Sequence, residues 1–189
     1  MIILASQSPR RREILEKITP DFIVCPSDGD EHIPAAEPPA FVQALALRKA
    51  RQAAVRYPDD LVLAADTVVC LDGEILGKPR DRDDAFRMLR ALSGRSHTVY
   101  TGVAVLYRGG EHTFAEGTEV RFRPLTDRLI AEYIDSGEPM DKAGAYGIQG
   151  RGGRFVEGIC GDFYNVMGLP LCALSRLLES LGAAGGAQI

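Results

Sequence analysis

Residues 61–76 read LVLAADTVVCLDGEIL. The apolar run Leu61–Leu71 is rich in valine and leucine and has the character of a buried β-strand. Asp72-Gly73, which follows it, is a strong signal for a type I′ turn, so Glu74–Leu76 is expected to return as a second strand. The sequence therefore predicts a β-hairpin over residues 61–76.

Further strands and helices are predicted on both sides of this hairpin. Ser8, Asp81 and Thr126 are predicted helix N-caps, and Arg108-Gly109-Gly110 is predicted to turn a second hairpin. Strands and helices mix without strict alternation, which favours an α/β fold with a mixed sheet over a fully parallel sheet. The other predicted strands are 2–5, 22–25, 99–107, 113–122 and 154–159, and the predicted helices are 9–17, 38–57, 82–92, 127–135 and 170–181.

Length and composition predict one globular domain. The chain has 189 residues, of which 46% are hydrophobic, and its net charge is only -4. These values favour a packed core and give no indication of a general nucleic-acid-binding surface. We expect a single domain over residues 1–181, followed by a small, polar and disordered tail over residues 182–189.

The order of residues at the N-terminus and the spacing of the cysteines indicate a cytoplasmic protein. An apolar run comes first and the basic residues follow, which is the reverse of a secretory signal, and no stretch has transmembrane length. The cysteines form no CxxC pair, so neither a zinc site nor a disulfide framework is indicated. We expect reduced thiols and no membrane partner. The four cysteines are Cys25, Cys70, Cys160 and Cys172.

Asp66 is a carboxylate within the otherwise apolar strand. Burying such a group is expensive unless a cation, a metal or backbone donors accompany it. Asp66 is therefore either a functional residue or a strand-end aspartate bonded to backbone N–H groups. A two-residue turn would make Thr67 face Lys78, at the open end of the hairpin. Perfect register would put Asp66 and Lys78 on opposite faces, so a bend would be needed to direct both at one ligand.

Ser8-Pro9-Arg10-Arg11 combines a helix start with clustered cations. The N–H groups and partial positive charge at a helix N-terminus attract phosphate. A capping box would place glutamate at the third helical position, whereas this chain has Arg11 there, with Arg10 and Arg12 beside it. These cations either await an anion that neutralises them or extend into water.

Lys49 lies on the apolar stripe of the helix predicted over residues 38–57. Its ammonium group either reaches the surface along the helix or faces a bound phosphate. In the acidic loop that precedes this helix, Asp30 and Glu31 could hold a divalent cation together with Asp66, because hard cations prefer carboxylate oxygen. Simple solvation of the loop is the alternative.

The glycine-rich loop Gly144–Gly153 contains Gln149. Its glycines permit close backbone approach, and the glutamine amide both donates and accepts hydrogen bonds. These are the properties that recognition of a nucleobase edge requires. A flexible surface loop is the alternative.

Together these motifs resemble the Maf family. Blocks of sequence occur in the family's order and at similar spacing, and they cover nearly the whole chain except the tail. A lone Ser8–Arg11 motif would not be specific, but the ordered set is. Beside Asn165, the segment Asp162–Tyr164 departs from many relatives, which carry small hydroxyl residues there. The blocks are Ser6–Arg11, Ala65–Val69, Gly77–Pro79, Leu92–Arg95, Asp141–Gly150 and Gly168–Pro170.

The resemblance implies an α/β fold with a mixed, twisted sheet flanked by helices and a cleft between two lobes, similar to the inosine triphosphate pyrophosphatases. It implies a homodimer that hydrolyses a nucleoside triphosphate to the monophosphate and pyrophosphate, with a divalent metal (Mg or Mn) held by Asp66 and Glu31. The form Ala145–Gly150 resembles the branch that acts on dTTP and UTP in the house-cleaning of normal or modified nucleotides. By the same resemblance, Asp66 is the catalytic base, Arg10, Thr67 and Gln149 select the nucleobase, and Ser8, Arg11, Glu31, Lys49 and Lys78 complete the active site.

Two other functions remain compatible with the sequence. One is a pyrophosphatase directed at purine nucleotides, including the 7-methyl-GTP branch of the family. The other is a non-enzymatic nucleotide-binding regulator of septum formation, in line with the family's link to cell-division arrest. A panel of triphosphates distinguishes the first, and multiple turnover with added Mg or Mn distinguishes the second.

Overall fold

Strands and helices occur at all the positions that the sequence predicts. The computed structural model describes residues 1–26 and 36–183. Its strands are β1 (Ile2–Leu4), β2 (Phe22–Val24), β3 (Leu61–Leu71), β4 (Glu74–Leu76), β5 (Ser96–Tyr107), β6 (Gly110–Phe122) and β7 (Val156–Cys160). Its helices are α1 (Pro9–Leu15), α2 (Pro38–Ala54), α3 (Arg82–Leu92), α4 (Asp127–Asp135), α5 (Phe163–Met167) and α6 (Leu171–Ser180), with 3-10 helices at Glu138–Asp141, Ala143–Ala145 and Arg151–Phe155.

The predicted hairpin forms with the predicted turn and register. Asp72 and Gly73 have φ angles of 52° and 83°, and a type I′ turn requires a positive φ at both positions. Leu71 pairs with Glu74 in antiparallel register. The two-residue turn therefore sets the pairing of β3 with β4.

The hairpin pairing ends before it reaches Lys78. Strand β4 stops at Leu76, so Thr67 and Lys78 do not become a cross-strand pair. The carbonyl oxygen of Gly77 instead accepts a hydrogen bond from Gly144 N at 3.0 Å. Because Lys78 follows the strand rather than belonging to it, the alternation of strand side chains does not fix its direction.

Among the described residues, seven strands form one mixed sheet, as predicted. The order is β2-β1-β3-β5-β6-β7, with β4 beside β3. Strand β1 is parallel to both β2 and β3, whereas β4 is antiparallel to β3 and β7 to β6. The chain leaves β1 for β2 on one side and then crosses to β3 on the other, which makes the space between β1 and β3 a topological switch point.

The described residues fall into two compact units. The first consists of Met1–Asp66, Thr101–Glu116 and Gly168–Ile189, and the second of Thr67–Tyr100 and Gly117–Met167. Strands β3, β5 and β6 each contribute residues to both units. Two units agree with the expectation of two lobes.

Small side chains allow helix α2 to lie close to the sheet in the first unit. A side chain at Gly102 on β5 would overlap the backbone of Val42 on α2, so the helix and the strand are in direct contact at this point. The inward face of α2 carries alanines, which keep the separation short. The buried residues of this core are Ile3, Ala5, Cys25, Ala46, Ala50, Ala53, Val62, Ala64 and Ala104.

The second unit has a larger core that includes several aromatic rings. Phe122 packs edge-on against Tyr146 with 4.7 Å between ring centroids, and Tyr133 packs edge-on against Phe155 at 4.9 Å. Such edge-to-face contacts favour a defined ring arrangement over simple apolar collapse. Helices α3 and α4 cover this core through Leu89 and other buried apolar residues.

Some local details differ from the predictions. Helix α5 is not predicted, because its five residues are too few to show helical periodicity. The segment 144–153, predicted as a loop, contains parts of two 3-10 helices. The acidic loop with Asp30 and Glu31 and the tail residues 184–189 lie outside the described residues.

Within residues 1–26 and 36–183, no helix combines the length and the apolar character needed to cross a membrane.

Candidate active site

The first part of the site lies at the carboxyl end of β1, where the longer strand β3 continues beyond it, beside the switch point. Leu4 on β1 is in register with Leu63 on β3, and Ala5 N donates to Leu63 O at 2.7 Å. The loop Ser6–Ser8 therefore leaves β1 at the edge where β3 continues towards Asp66. Ligands of open α/β sheets commonly bind at such an edge.

Asp66 and Lys49 form an ion pair at this edge. Lys49 Nζ donates to Asp66 Oδ1 at 2.5 Å, and the two side chains are only 16% and 14% exposed. Lys49 stands on the same face of α2 as the buried Ala46 and Ala53, and the close approach of the helix to the sheet brings it to β3. Lys49 therefore turns towards a carboxylate rather than extending along the helix into water.

Ser8 caps helix α1, as predicted. Its Oγ accepts a hydrogen bond from Arg11 N at 3.4 Å, and Pro9 occupies the first helical position. Ser8 N in turn donates to Ser6 Oγ at 3.2 Å. These bonds fix the turn between β1 and α1 and hold the start of the helix at the carboxyl end of β1.

The arginines that follow Pro9 have different environments. Arg11 is partly buried, and its Nε donates to Gly168 O at 2.8 Å while Nη1 donates to Ser6 Oγ at 3.2 Å. Arg12 is exposed and forms an i,i+4 ion pair with Glu16 at 3.0 Å. The contact of Arg11 with Gly168 joins two blocks of sequence that are far apart in the chain, and it gives a physical reason for the Gly168–Pro170 block.

Arg10 belongs to the first unit and is partly buried, and the other remaining candidate residues belong to the second unit or lie outside the described residues. Thr67 follows Asp66 directly and is partly buried, whereas Lys78 and Gln149 are exposed. The structure thus brings Lys49 to Asp66 and Ser8 to Arg11. Glu31, the second predicted metal ligand, is outside the described part of the chain.

A buried histidine supports the start of the glycine-rich loop in the second unit. Tyr146 is in the core, and its hydroxyl lies 2.8 Å from Nε2 of His97, which is 3% exposed. Burial lowers the pKa of His97 to about 4, so the ring is neutral at pH 7. No sequence motif marks His97, because it stands apart from the other histidines of the chain.

Asn165, next to the segment that departs from the family pattern, is a buried structural residue. Its Nδ2 donates to Val99 O at 3.1 Å and to Thr118 Oγ1 at 3.0 Å. Phe163, within that segment, is 41% exposed. The departing segment therefore includes an exposed residue of α5, whereas Asn165 beside it is buried and hydrogen-bonded.

In each unit, some residues that hold the candidate residues in place could not be recognised from the sequence. Ser6 and Gly168 lie in the family blocks but had no assigned role. Tyr133 and Glu138 were not singled out at all, because their partners in the loop around Gln149 are distant in sequence. Their local sequence carries no signal of these contacts.

The described structure contains only part of the predicted set of ligands for a divalent cation. Among residues 1–26 and 36–183, no group of three or more metal-binding side chains occurs. Asp66 is the described carboxylate of the predicted pair. One or two carboxylates combined with substrate phosphates is the usual coordination of Mg²⁺ in nucleotide sites, so the chemistry of Asp66 fits such an ion.

The chain is similar to one protein family over nearly its whole length. The family model described as Maf-like protein matches residues 1–181. A protein from Symbiobacterium thermophilum named dTTP/UTP pyrophosphatase is 55% identical over 183 residues, which cover 96% of this chain and 94% of that protein. A protein of the same name from Thermococcus kodakarensis is 52% identical over 180 residues, which cover 95% and 96%.

A solved structure also resembles the fold. The Staphylococcus aureus Ham1 protein superimposes with a TM-score of 0.53 at 15% identity, covering 95% of this chain and 98% of that chain. At this identity the likeness concerns the fold alone. It agrees with the mixed α/β architecture.

Proposed function

This chain belongs to the Maf family, and on that premise we propose that it hydrolyses dTTP and UTP to the nucleoside monophosphate and pyrophosphate. The observation that carries the proposal is the Lys49–Asp66 ion pair, which lies on β3 just beyond the carboxyl end of β1. The names of the similar proteins, dTTP/UTP pyrophosphatase, support the substrate class.

Asp66 acts as the general base. Its carboxylate orients a water molecule for in-line attack at the α-phosphorus and takes a proton from it. A bond forms between the water oxygen and that phosphorus, the bond from the α-phosphorus to the bridging oxygen breaks, and pyrophosphate leaves with the electron pair. Lys49 holds the carboxylate in one orientation through the 2.5 Å hydrogen bond, which reduces the reorganisation that catalysis needs.

Cations bind the triphosphate. Arg11 is oriented by Gly168 and Ser6, so its guanidinium group is presented in a fixed direction, and a planar guanidinium matches phosphate geometry well. Lys49 and the start of α1 at Ser8 add positive charge at the same edge of the sheet. From the family resemblance we assign Lys78 to the phosphates as well.

The nucleobase is selected by Arg10, Thr67 and Gln149. This assignment also follows the family resemblance. It is supported by the exposure of Gln149 at the surface of the second unit. Pyrimidine selectivity is the expected result.

A divalent cation, Mg or Mn, is part of the proposal. Asp66 and Glu31 would hold it, with phosphate oxygens of the substrate completing the ligand set. Such an ion neutralises charge on the phosphates. The side chains of this protein supply the orientation of water, the proton acceptor and the remaining positive charge.

We further propose that residues 1–181 act as a single catalytic domain in a cytoplasmic homodimer. The cytoplasmic assignment follows from the sequence pattern, in which the four cysteines, Cys25, Cys70, Cys160 and Cys172, are widely spaced and form no CxxC pair. The dimer follows from the family resemblance.

A triphosphate panel tests the function. Purified protein is incubated with dTTP, UTP, CTP, ATP, GTP or 7-methyl-GTP and with Mg²⁺ or Mn²⁺, and the products are identified by phosphorus NMR. We expect many turnovers with dTTP and UTP and the release of pyrophosphate rather than orthophosphate. Preference for 7-methyl-GTP or another purine nucleotide would assign the chain to a different branch, and nucleotide binding without turnover would favour the regulator.

A further inference from the structure

Glu138 binds the loop that follows Gln149. It lies in the second unit, at the start of the 3-10 helix Glu138–Asp141, and is partly buried. Its Oε2 accepts a hydrogen bond from Arg151 N at 2.9 Å, and its Oε1 accepts one from Gly152 N at 3.2 Å. A single carboxylate therefore holds the turn on the C-terminal side of Gln149.

Tyr133 extends this contact to the other side of Gln149. Its hydroxyl donates to Glu138 Oε1 at 2.8 Å and accepts from Gly147 N at 3.2 Å. Tyr133 belongs to α4, is 1% exposed, and packs against Phe155. The two side chains thus bind the loop before and after Gln149 and connect it to the core of the second unit.

The glycines of the loop are required by this arrangement. A side chain at Gly150 would overlap the carboxylate of Glu138, and a Cβ at Gly152 would lie 2.8 Å from the hydroxyl oxygen of Tyr133. The backbone can approach these groups only where no Cβ is present. The spacing of glycines in the motif therefore matches the position of Glu138.

The carboxylate is suited to its three donors. Burial raises the pKa of Glu138, but the hydrogen bonds donated by Arg151 N, Tyr133 and Gly152 N, with the charge of Lys142, outweigh burial and leave the pKa below its ordinary value. An ionised carboxylate only accepts hydrogen bonds. A glutamine side chain has only one acceptor oxygen. Its NH₂ group would therefore face at least one of the three groups that donate hydrogen bonds to Glu138.

We propose that Glu138, acting with Tyr133, is a positioning residue for nucleobase selection, because it fixes the loop conformation that presents Gln149. This inference rests on the proposed function, in which Gln149 contacts the base. In this proposal Glu138 binds the loop and does not contact the phosphates. Its removal should therefore weaken discrimination between bases while leaving recognition of the triphosphate intact.

Glu138→Gln tests the proposal by comparing a substrate that has a base with a ligand that has none. We expect kcat/KM for dTTP to fall about tenfold or more, mainly through KM, because charge-assisted hydrogen bonds that order the loop are lost. The preference for dTTP over CTP should fall as well. The inhibition constant of inorganic tripolyphosphate should stay within about twofold of wild type, since its contacts are unchanged.

The matched control is Glu132→Gln. Glu132 is an exposed glutamate on α4, beside Tyr133 in sequence, and pairs with Arg128 at 2.8 Å. Glu132→Gln should leave kcat/KM for dTTP, the preference for dTTP over CTP and the inhibition constant of tripolyphosphate at their wild-type values. Tyr133→Phe is a second, milder variant that keeps the ring but removes the hydroxyl, and it should shift discrimination in the same direction as Glu138→Gln.

The proposal would be overturned if kcat/KM for dTTP and the affinity for tripolyphosphate fell by the same factor in Glu138→Gln. It would also be overturned if the preference for dTTP over CTP did not change. Amide hydrogen exchange at Gly147, Arg151 and Gly152 without nucleotide separates this outcome from failure of the proposed function. Faster exchange in Glu138→Gln than in Glu132→Gln supports the positioning role, and equal exchange overturns it. If wild-type protein leaves dTTP intact, the proposed function is wrong whatever the exchange data show.

Discussion

Two partly buried carboxylates, Asp66 in the first unit and Glu138 in the second, are held in opposite ways. Asp66 is on a strand buried on both sides, and its partner is the ammonium group of Lys49. Glu138 is outside regular strands and α-helices, and it binds a hydroxyl group and two backbone N–H groups of a loop. The first carboxylate is positioned by the sheet, whereas the second positions the chain around it.

This difference separates the two tasks of the proposed enzyme. A group that takes a proton needs a fixed place, and the sheet supplies it because β3 pairs with its neighbours along much of its length. A group that selects a base sits on a loop, which can vary while the sheet stays the same. Substitution of Asp66 should therefore stop the reaction, whereas substitution of Glu138 should change its selectivity for the nucleobase.

The largest expected effect is that of Asp66→Asn. We expect turnover of dTTP to fall by about a thousandfold, because asparagine cannot accept the proton from water. The fold should persist, since the amide has the shape of the carboxylate. Steady-state pyrophosphate release, together with circular dichroism, checks both statements.

Asp72→Asn is the matched control for this change. Asp72 is exposed at the turn of the same hairpin, and asparagine tolerates its positive φ of 52°. Its turnover should equal that of wild type. If Asp66→Asn retained comparable turnover, Asp66 could not be the base, and the contrast between the two carboxylates would lose its basis.

A second prediction is that low pH destabilises the protein through a buried histidine in the core of the second unit. Burial lowers the pKa of His97 to about 4, whereas a histidine in the unfolded chain titrates near 6.5. The unfolded chain therefore binds this proton first as the pH falls. The contribution of His97 to the free energy of unfolding is therefore fully present above about pH 6.5. It falls by up to about 3 kcal/mol as the pH decreases towards 4.

Urea unfolding at pH 7 and pH 4.5, followed by circular dichroism, measures this contribution. His97→Gln keeps a polar partner for the Tyr146 hydroxyl but cannot titrate. The free energy of unfolding should fall less between the two pH values in the variant than in wild type. An equal fall in both proteins would show that His97 does not couple acid to the stability of the second unit.

The sequence predicted the parts of the molecule that depend on local signals. The turn at Asp72-Gly73, the N-caps at Ser8 and Asp81, and the mixed sheet are confirmed, because each follows from backbone preferences or hydrophobic patterns within a few residues. The family was recognised because its motifs are ordered along the chain. Each of these signals, including each family motif, consists of residues that are close together in the sequence.

The contacts that shape the site could not be predicted in the same way. The contact between Lys49 and Asp66 depends on how α2 packs on the sheet, which it approaches closely at Gly102, and no local pattern gives that distance. Arg11 bonds to Gly168 across most of the length of the chain. Glu138 precedes its loop without any sequence feature that marks it as an acceptor. The roles assigned to Lys78, Thr67 and Gln149 stay predictions.

The smallest effects should separate Arg11 and Arg12, two adjacent arginines of the same cationic cluster. Arg11→Gln removes the charged group that Gly168 and Ser6 orient, and we expect kcat/KM for dTTP to fall about tenfold or more. Arg12→Gln removes an exposed ion pair with Glu16, and such pairs contribute little, so kcat/KM should stay within about twofold. Steady-state kinetics of both variants checks the difference. Equal losses would mean that the arginines act as a diffuse positive field, and that the orientation of Arg11 by the first unit has no part in binding the phosphates.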